Sequence, residues 1–363
     1  MRRSSPIALF LLTAAFSVAL STPSLAQGNR PVAFHDPGAA GVDFTLQGEY
    51  LGQIVDADGL HYEGLQVVAR GDGRFDAVQL PGGLPGAGWN RQTRIALQGE
   101  RDGDRLVLQG EDRQVEVAGG VATVFAGGRS RGSLEQIHRI SPTQHAAPPA
   151  GASVLFGGQL TDKLKNAKVN DDGLLEVGFI TADPVGDFRL HLEFRTPFMP
   201  HATGQGRGNS GVYIQQRYEV QVLDSFGLEG VENECGGLYR QKRADVNMAF
   251  PPLSWQTYDI YFRAARWDDG KKVAAATITV LHNGVAIHDG YELKNKTGAG
   301  KPEGPDPLPI LFQNHRDPVH FRNLWIAPLG HVPSDGGNFA SSSDAPTICV
   351  CPPRGRGLLR RRR

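Results

Sequence analysis

Short stretches of alternating apolar and polar residues, separated by turn signals, recur along the chain. Over residues 190–195, leucine and phenylalanine alternate with histidine, glutamate and arginine. The dipeptides Asp-Gly and Asn-Gly recur between such stretches, as at Asp58-Gly59 and Asn283-Gly284. A period of two with frequent turns is typical of antiparallel strands. No later segment keeps a helical apolar period over several turns, so the pattern predicts an all-β protein with very little helix.

One stretch without periodicity divides the chain into two strand-rich regions. Residues 141–151 are rich in proline and alanine, which is typical of a linker. Residues 28–140 predict a small N-terminal β module, to which the sequence assigns no chemistry. Residues 152–329 have the length and strand density of a β-sandwich or jelly roll. Residues 330–363, rich at first in Gly, Ser, Asp and Pro, predict a disordered tail.

The first 26 residues have the pattern of a secretory signal peptide. Two arginines precede an apolar run over residues 7–20, and small residues lead to a cleavage point near Ala26. This run is shorter than the roughly 20 apolar residues that a membrane helix needs. We therefore expect a cleaved, periplasmic or secreted protein without a membrane span.

The distribution of charge argues against a nucleic-acid partner. The chain has 38 Lys and Arg residues and 38 Asp and Glu residues. The signal segment and the last ten residues hold eight of the arginines and no acids, so 30 basic residues face 38 acidic ones elsewhere. Surfaces that bind nucleic acids are basic. The sequence makes no prediction of the oligomeric state.

Two predicted strands carry a polar face opposite an apolar one. Because side chains alternate along a strand, Glu219 and Gln221 point away from the valines that follow each of them. Gln313 and His315 likewise share one face of a strand over residues 310–315. A solvated sheet face is the more common cause of such a pattern. These short hydrogen-bonding groups also suit sugar hydroxyls in a concave polar groove.

Further residues of the second region complete the set of candidates. Tyr239 and Trp255 could stack on a sugar ring. Asn209, Asp224 and Arg322 could bind sugar hydroxyls. Taken singly, each of these residue types is more often structural. No group of His, Cys and Asp residues has the spacing of a metal site.

Six segments of the second region carry a resemblance to a known family. They are Gly208–Tyr213, Tyr218–Asp224, Trp255–Tyr258, Asn283–Gly284, Leu311–His315 and Phe321–Trp325. In this order they resemble the 3-keto-disaccharide hydrolase family, also described as 3-keto-glucoside 1,2-lyase and 3-keto-2-hydroxyglucal hydratase. The resemblance covers about residues 153–328. It implies a concanavalin-like jelly-roll β-sandwich whose partner is a sugar substrate, a glycoside oxidised at C3.

The implied substrate changes the chemistry that the site must perform. Ordinary glycoside hydrolysis needs two carboxylates that face one bond. A 3-keto group instead acidifies the C2 proton, so that one base starts elimination of the C1 substituent and water addition completes a net hydrolysis. The candidates for this base are Glu219 and His315. Arg322, Gln221 and Asn209 are the candidates that hold the enolate oxygen or the sugar hydroxyls.

Other functions stay open at the level of the sequence. No cofactor is predicted, but Glu219, Asp224 and His315 could bind a divalent cation if the fold brings them together. The main alternative is a non-catalytic, lectin-like carbohydrate-binding protein of the envelope, because the same sandwich serves both functions. A purely structural envelope protein is the third hypothesis.

Overall fold

The computed structural model describes residues 31–57, 59–329 and 349–351. The predicted signal peptide and most of the predicted tail lie outside these ranges, so they and the predicted location stay predictions. The protein is nearly all β, with 3% helix and 48% strand, which confirms the predicted fold class. Among the described residues, no helix has the length and apolar character to cross a membrane.

The N-terminal module is a closed antiparallel sheet of eight strands that follows a short helix, α1 (Gly41–Leu46). The strands are β1 Gly48–Asp56, β2 Gly59–Gly71, β3 Arg74–Pro81, β4 Ile95–Asp102, β5 Arg105–Gln109, β6 Arg113–Ala118, β7 Val121–Ala126 and β8 Arg129–Ile140. Each strand pairs with the next, and β8 pairs with β1 to close the ring. Apolar side chains such as Leu65, Phe75 and Leu106 fill its interior, as expected for a ring of eight strands.

The second region contains two larger antiparallel sheets and a small hairpin. The remaining strands are β9 Ser153–Phe156, β10 Leu164–Lys165, β11 Ile180–Thr181, β12 Phe188–Arg195, β13 Ser210–Ile214, β14 Tyr218–Val222, β15 Gln256–Arg263, β16 Arg266–Asp268, β17 Lys271–Ala274, β18 Thr277–His282, β19 Val285–Glu292, β20 Leu311–Phe312, β21 His320–Pro328 and β22 Cys349–Cys351. One sheet has the order β10-β11-β20-β13-β14, the other β19-β18-β15-β12-β21-β9. The strands β16 and β17 pair with each other, and β22 pairs with β8. The two larger sheets form the predicted sandwich.

One apolar core lies between the two large sheets. It contains Val220 and Val222 from β14 of the five-stranded sheet, and Leu192 and Phe194 from β12 of the six-stranded sheet. All four side chains are fully buried. Because side chains alternate along a strand, the polar neighbours of these residues lie on the two outer faces of the sandwich.

A buried ion pair joins the sandwich to the N-terminal module. Arg207 Nε donates to Asp224 Oδ2 at 2.7 Å, and the two side chains are 3% and 0% exposed. Arg207 Nη1 donates to the carbonyl oxygen of Ala69 on β2 at 3.3 Å. Phe198 of the sandwich packs into the apolar interior of the module and exchanges two backbone hydrogen bonds with Phe34. The two regions are thus in contact through both polar and apolar groups.

We expect Asp224→Ala to lower the free energy of unfolding by about 3–5 kcal/mol, because the buried guanidinium of Arg207 loses its countercharge. Denaturant titration followed by circular dichroism measures this. The control is Glu229→Ala, which breaks an exposed pair with Arg243. Loss of an exposed pair costs about 0–1 kcal/mol. Equal stability of the two variants would show that Asp224 is not structural.

Candidate functional site

Glu219 lies within a buried polar group on the outer face of the five-stranded sheet. The strand β14 holds Glu219 and Gln221, and the antiparallel register places Tyr213 of β13 opposite Glu219. Asn209 precedes β13, and Tyr239 pairs with the free edge of β14, where its N–H donates to the Glu219 carbonyl oxygen at 3.2 Å. We call these five residues the carboxylate cluster. It unites four of the predicted site residues with Tyr213.

Two glycines allow the backbone to enclose the Glu219 carboxylate. A Cβ on Gly211 would lie 2.4 Å from Glu219 Oε1, and one on Gly298 would lie 3.4 Å from Oε2. Gly298 also has a φ of +39°, a conformation that favours glycine. Thr297 Oγ1 accepts a hydrogen bond from Glu219 N at 2.6 Å, which fixes this loop against β14. Strand β13 and the loop therefore leave Glu219 only 2% exposed.

The enclosure raises the pKa of Glu219 toward neutral pH. Burial raises the pKa of Glu219 to about 7, and a hydrogen bond with Tyr213 partly opposes this rise. Burial and the neighbouring Glu219 carboxylate raise the pKa of Tyr213 above its ordinary value, so this hydroxyl stays protonated. A carboxyl group that titrates near pH 7 can both remove and return a proton. The cluster therefore contains a carboxyl group whose pKa is suited to general acid–base chemistry.

An amide network continues from Glu219 to Gln205. Gln221 Nε2 donates to Gln205 Oε1 at 3.0 Å, and Asn209 Nδ2 donates to the Gln205 carbonyl oxygen at 2.7 Å. In the other orientation of the Gln221 amide, its nitrogen donates to Glu219 Oε1 at 3.2 Å and to the Ser210 carbonyl oxygen at 2.7 Å. An amide offers both a donor and an acceptor. Gln221 can therefore bond to Glu219 in either protonation state.

Of the two remaining predicted groove residues, Gln313 lies beside the cluster and His315 is exposed. Gln313 N donates to the Gly211 carbonyl oxygen at 2.8 Å, and Ser210 Oγ donates to the Gln313 carbonyl oxygen at 2.8 Å. The Gln313 side chain is half-buried, and its Oε1 has no hydrogen-bond partner among the described residues. His315 follows in an exposed loop. Of the two predicted bases, only Glu219 is enclosed.

A cavity of about 520 Å³ borders the loop that carries His315. Asn314, Arg316 and Asp317 are among its lining residues. Asp317 Oδ2 accepts a hydrogen bond from Asn209 N at 2.9 Å, so the cavity adjoins the carboxylate cluster. Its volume lies within the range of small-ligand sites.

Asp224 faces away from the cluster and is held by Arg207, as described above. In the ranges that the structure covers, no group of three or more His, Cys, Asp and Glu side chains is arranged to hold a metal ion. Glu219, Asp224 and His315, which the sequence offered for a divalent cation, are therefore not assembled into such a group.

Arg322 and Trp255 lie together on the outer face of the other, six-stranded sheet. The Arg322 guanidinium is 3.9 Å from the centre of the Trp255 ring, and Arg322 Nε donates to Glu193 Oε2 at 2.7 Å. His145, within the predicted linker, donates its N–H to Glu193 Oε1 at 2.5 Å. Burial alone would raise the pKa of Glu193, but hydrogen bonds from His191 and other donors hold it at about 2. The apolar core separates this ionic network from the carboxylate cluster.

Tyr213 and Gln205 were not among the residues predicted from the sequence. Tyr213 lies in one of the six family-like segments, between Val212 and Ile214, which face the core. This alternation could have predicted that Tyr213 shares the polar face. Gln205 carries no such signal, because its role depends on a turn that folds back onto Asn209. Gly211 has a role because the side chain of Glu219, from the neighbouring strand, lies close to its backbone.

Comparison with known proteins identifies the sandwich. A family model described as the 3-keto-alpha-glucoside-1,2-lyase-like domain matches residues 151–327. The chain belongs to this family. The match includes the whole carboxylate cluster and leaves out the N-terminal module. The family resemblance of the six segments is thereby confirmed.

Solved structures similar to this family member include three from Parabacteroides distasonis, each described as a "putative glycosyl hydrolase". One is 32% identical, with 50% of this chain and 85% of that chain covered and a TM-score of 0.46. The second is 16% identical, covers 54% and 100%, and has a TM-score of 0.37. The third is 23% identical, covers 49% and 99%, and has a TM-score of 0.35. No curated protein matches the chain.

We expect Gly211→Ala to lower the pKa of Glu219 from about 7 toward its ordinary value of 4.5, because the new Cβ displaces the carboxylate toward water. Carboxyl chemical shifts recorded against pH by NMR measure this change. The displaced atom ends a flexible side chain, so the fold should persist. Gly186→Ala is the control, since a Cβ there meets nothing within 4 Å. An unshifted Glu219 in Gly211→Ala would contradict the enclosure.

The raised pKa also makes stability depend on pH. The unfolded carboxyl titrates near 4.5 and the folded one near 7, so the folded state binds the proton more tightly between these values. Stability therefore falls as pH rises through this window. We expect wild type to lose about 2–3 kcal/mol relative to Glu219→Gln between pH 4.5 and pH 8, measured by denaturant titration at both values. Parallel pH profiles of the two proteins would refute the assignment.

Proposed function

We propose that the protein cleaves 3-keto-glycosides by elimination followed by hydration, and that Glu219 is the base. One observation carries this proposal: Glu219 is an enclosed carboxylate with a pKa of about 7. It lies in the part of the chain that matches the lyase-like family. A sugar substrate also fits the polar amides and hydroxyl that surround Glu219.

In the proposed first step, Glu219 removes the C2 proton of the oxidised sugar. The C3 ketone stabilises the resulting charge as an enolate. The electron pair of the C2–H bond then forms a C1–C2 double bond, and the C1–O bond breaks. The leaving oxygen takes up a proton from water, which releases the alcohol.

In the second step, water adds to the double bond of the 3-keto intermediate. The oxygen of water bonds to C1 and gives one proton to the hydroxide that the first step leaves, while C2 regains a proton from protonated Glu219. The sum of the two steps is hydrolysis, although neither step displaces the leaving group directly. A group with a pKa near 7 suits both steps, because it is base in the first and acid in the second.

The neighbours of Glu219 can hold the substrate. Tyr213, which stays protonated, can donate to the enolate oxygen at C3. The amides of Gln221 and Asn209 can bind sugar hydroxyls. Tyr239 is half-buried and its ring lies against Gly298, so one face can form a wall for the sugar ring.

The interactions of the other carboxylates favour elimination over ordinary hydrolysis as the mechanism. Ordinary hydrolysis needs a second carboxyl group that faces the same bond. Asp224 is held by Arg207, and Asp317 accepts from the backbone of Asn209. Glu193 is paired with Arg322 across the apolar core. Glu219 is therefore the acidic side chain of this group that is placed to exchange protons with a sugar.

We expect a 3-keto-glucoside processed in heavy water to yield product with deuterium at C2, because the C2 proton passes to Glu219 during elimination and exchanges there with heavy water before C2 is protonated again. Mass spectrometry and NMR of the product measure this, against a protein-free sample that corrects for spontaneous exchange. The unoxidised glucoside should remain intact, since its C2 proton is too weakly acidic for a side-chain base. Glu219→Gln should lower exchange and cleavage together by at least about 100-fold.

The matched control is Glu234→Gln, because burial also raises the pKa of Glu234, whose carboxylate binds the backbone at Gly230 outside the cluster. Glu234→Gln should retain cleavage. Cleavage of the 3-keto substrate without C2 deuterium would exclude elimination. Equal cleavage of the unoxidised parent would exclude the proposed substrate class.

A further inference from the structure

The N-terminal module, which lies outside the family match, contacts the sandwich through the hairpin of β2 and β3. His201 Nε2 of the sandwich lies 3.1 Å from Asp72 Oδ1 of the hairpin. A Cβ on Gly71 would meet the His201 ring at 2.4 Å, and one on Gly227 would meet Val68 at the same distance. With the Arg207 bond to β2, these contacts hold the hairpin closely against the sandwich.

A cleft of about 620 Å³ opens beside this contact. Its charged and polar lining includes Arg70, Arg74, Asp76 and Glu100 from the module, and His201 and Thr203 from the sandwich. Each half of the protein thus supplies one wall. The volume lies within the range of about 300–1,000 Å³ that is usual for small-ligand sites.

The sandwich wall of the cleft lies two residues from Gln205, which bonds to the carboxylate cluster. Thr203 is followed by a single 3₁₀ turn over residues 204–206. Within that turn, Gln205 accepts hydrogen bonds from Asn209 and Gln221. Two residues of chain span at most about 7 Å. Thr203 of the cleft therefore lies within about 7 Å of Gln205, the residue that bonds to two members of the carboxylate cluster.

The charges in the cleft indicate the class of ligand. Arg70 pairs with Asp76 at 2.6 Å, and Arg74 pairs with Asp72 at 3.4 Å. All four side chains are partly exposed, so each keeps free donors or acceptors. A phosphate or carboxylate ligand would need an excess of cationic groups. Balanced donors and acceptors suit a neutral, hydroxyl-rich group instead.

We propose that this cleft binds the leaving group of the glycoside as a neutral, hydroxyl-rich unit, with the reactive 3-keto ring at Glu219. The N-terminal module is then a substrate-binding part of the site. This inference rests on the proposed function and adds the place of the leaving group. The cavity near Asp317 differs from this cleft, because all its lining residues belong to the family-matched sandwich and none to the N-terminal module.

The test compares a 3-keto-glucose disaccharide with methyl 3-keto-glucoside, which has no second ring. For Arg70→Ala and Arg74→Ala, the ratio of kcat/KM for the disaccharide to that for the methyl glycoside should fall about tenfold, with the larger change in KM. The control is Arg105→Ala: Arg105 is 58% exposed and Arg74 is 59% exposed, and both pair with a carboxylate on the module. Its ratio should equal that of wild type.

Thermal melting shows whether each variant is folded. If Arg70→Ala does not fold, the exposed Arg74→Ala still decides the outcome. An unchanged ratio in the folded cleft variants, or the same fall in Arg105→Ala, would overturn the proposal.

If the proposed function is wrong, the wild-type protein cleaves neither of the two 3-keto substrates, which is a different result. Calorimetry with the unoxidised disaccharide then tests the cleft alone. Binding that weakens at least fivefold in Arg74→Ala but not in Arg105→Ala would support the cleft as a sugar site. Equal affinities, or no binding to wild type, would overturn it.

Discussion

The buried pair of Arg207 and Asp224 is the interaction on which the arrangement of the site depends. Arg207 lies just before β13 and Asp224 just after β14, so the pair joins the ends of the two strands that carry the carboxylate cluster. The same guanidinium bonds to Ala69 of the N-terminal module. Removal of either charge leaves the other buried without a partner, which is strongly unfavourable. This interaction therefore contributes to the strand pairing, to the turn at Gln205 and to the position of the module, together with the contacts of Phe198 and His201.

The enclosure of Glu219 shows how the fold trades stability for chemistry. Glu219 lies in a pocket formed by Gly211, the loop at Thr297 and the ring of Tyr239. Water is excluded, so the charged form is disfavoured near neutral pH. At Glu193, by contrast, the charged form is stabilised by hydrogen-bond donors. In the proposed function, this environment of Glu219 serves proton transfer rather than folding.

Local pattern was sufficient to predict the polar face of β14, and long-range pairing decided the contacts that its residues and the other candidates make. The alternation of β14 placed Glu219 and Gln221 on one polar face, as the structure has them. Asp224 has the other parity, and the structure pairs it with Arg207 from the opposite strand. Arg322 belongs to a family-like segment, yet its partner Glu193 lies 129 residues away in sequence. Such pairings depend on which strands become neighbours, which no local pattern contains.

The sequence by itself determined the all-β class and the polar face of β14, because strand periodicity and turn residues are local properties. The tertiary structure alone decided that the module closes through β1 and β8, and that its β2–β3 hairpin meets the sandwich beside Gln205. It also decided which carboxylates pair with arginine and that burial outweighs hydrogen bonding at Glu219. Burial and charge pairing are properties of the packed chain, since they depend on residues far apart in sequence.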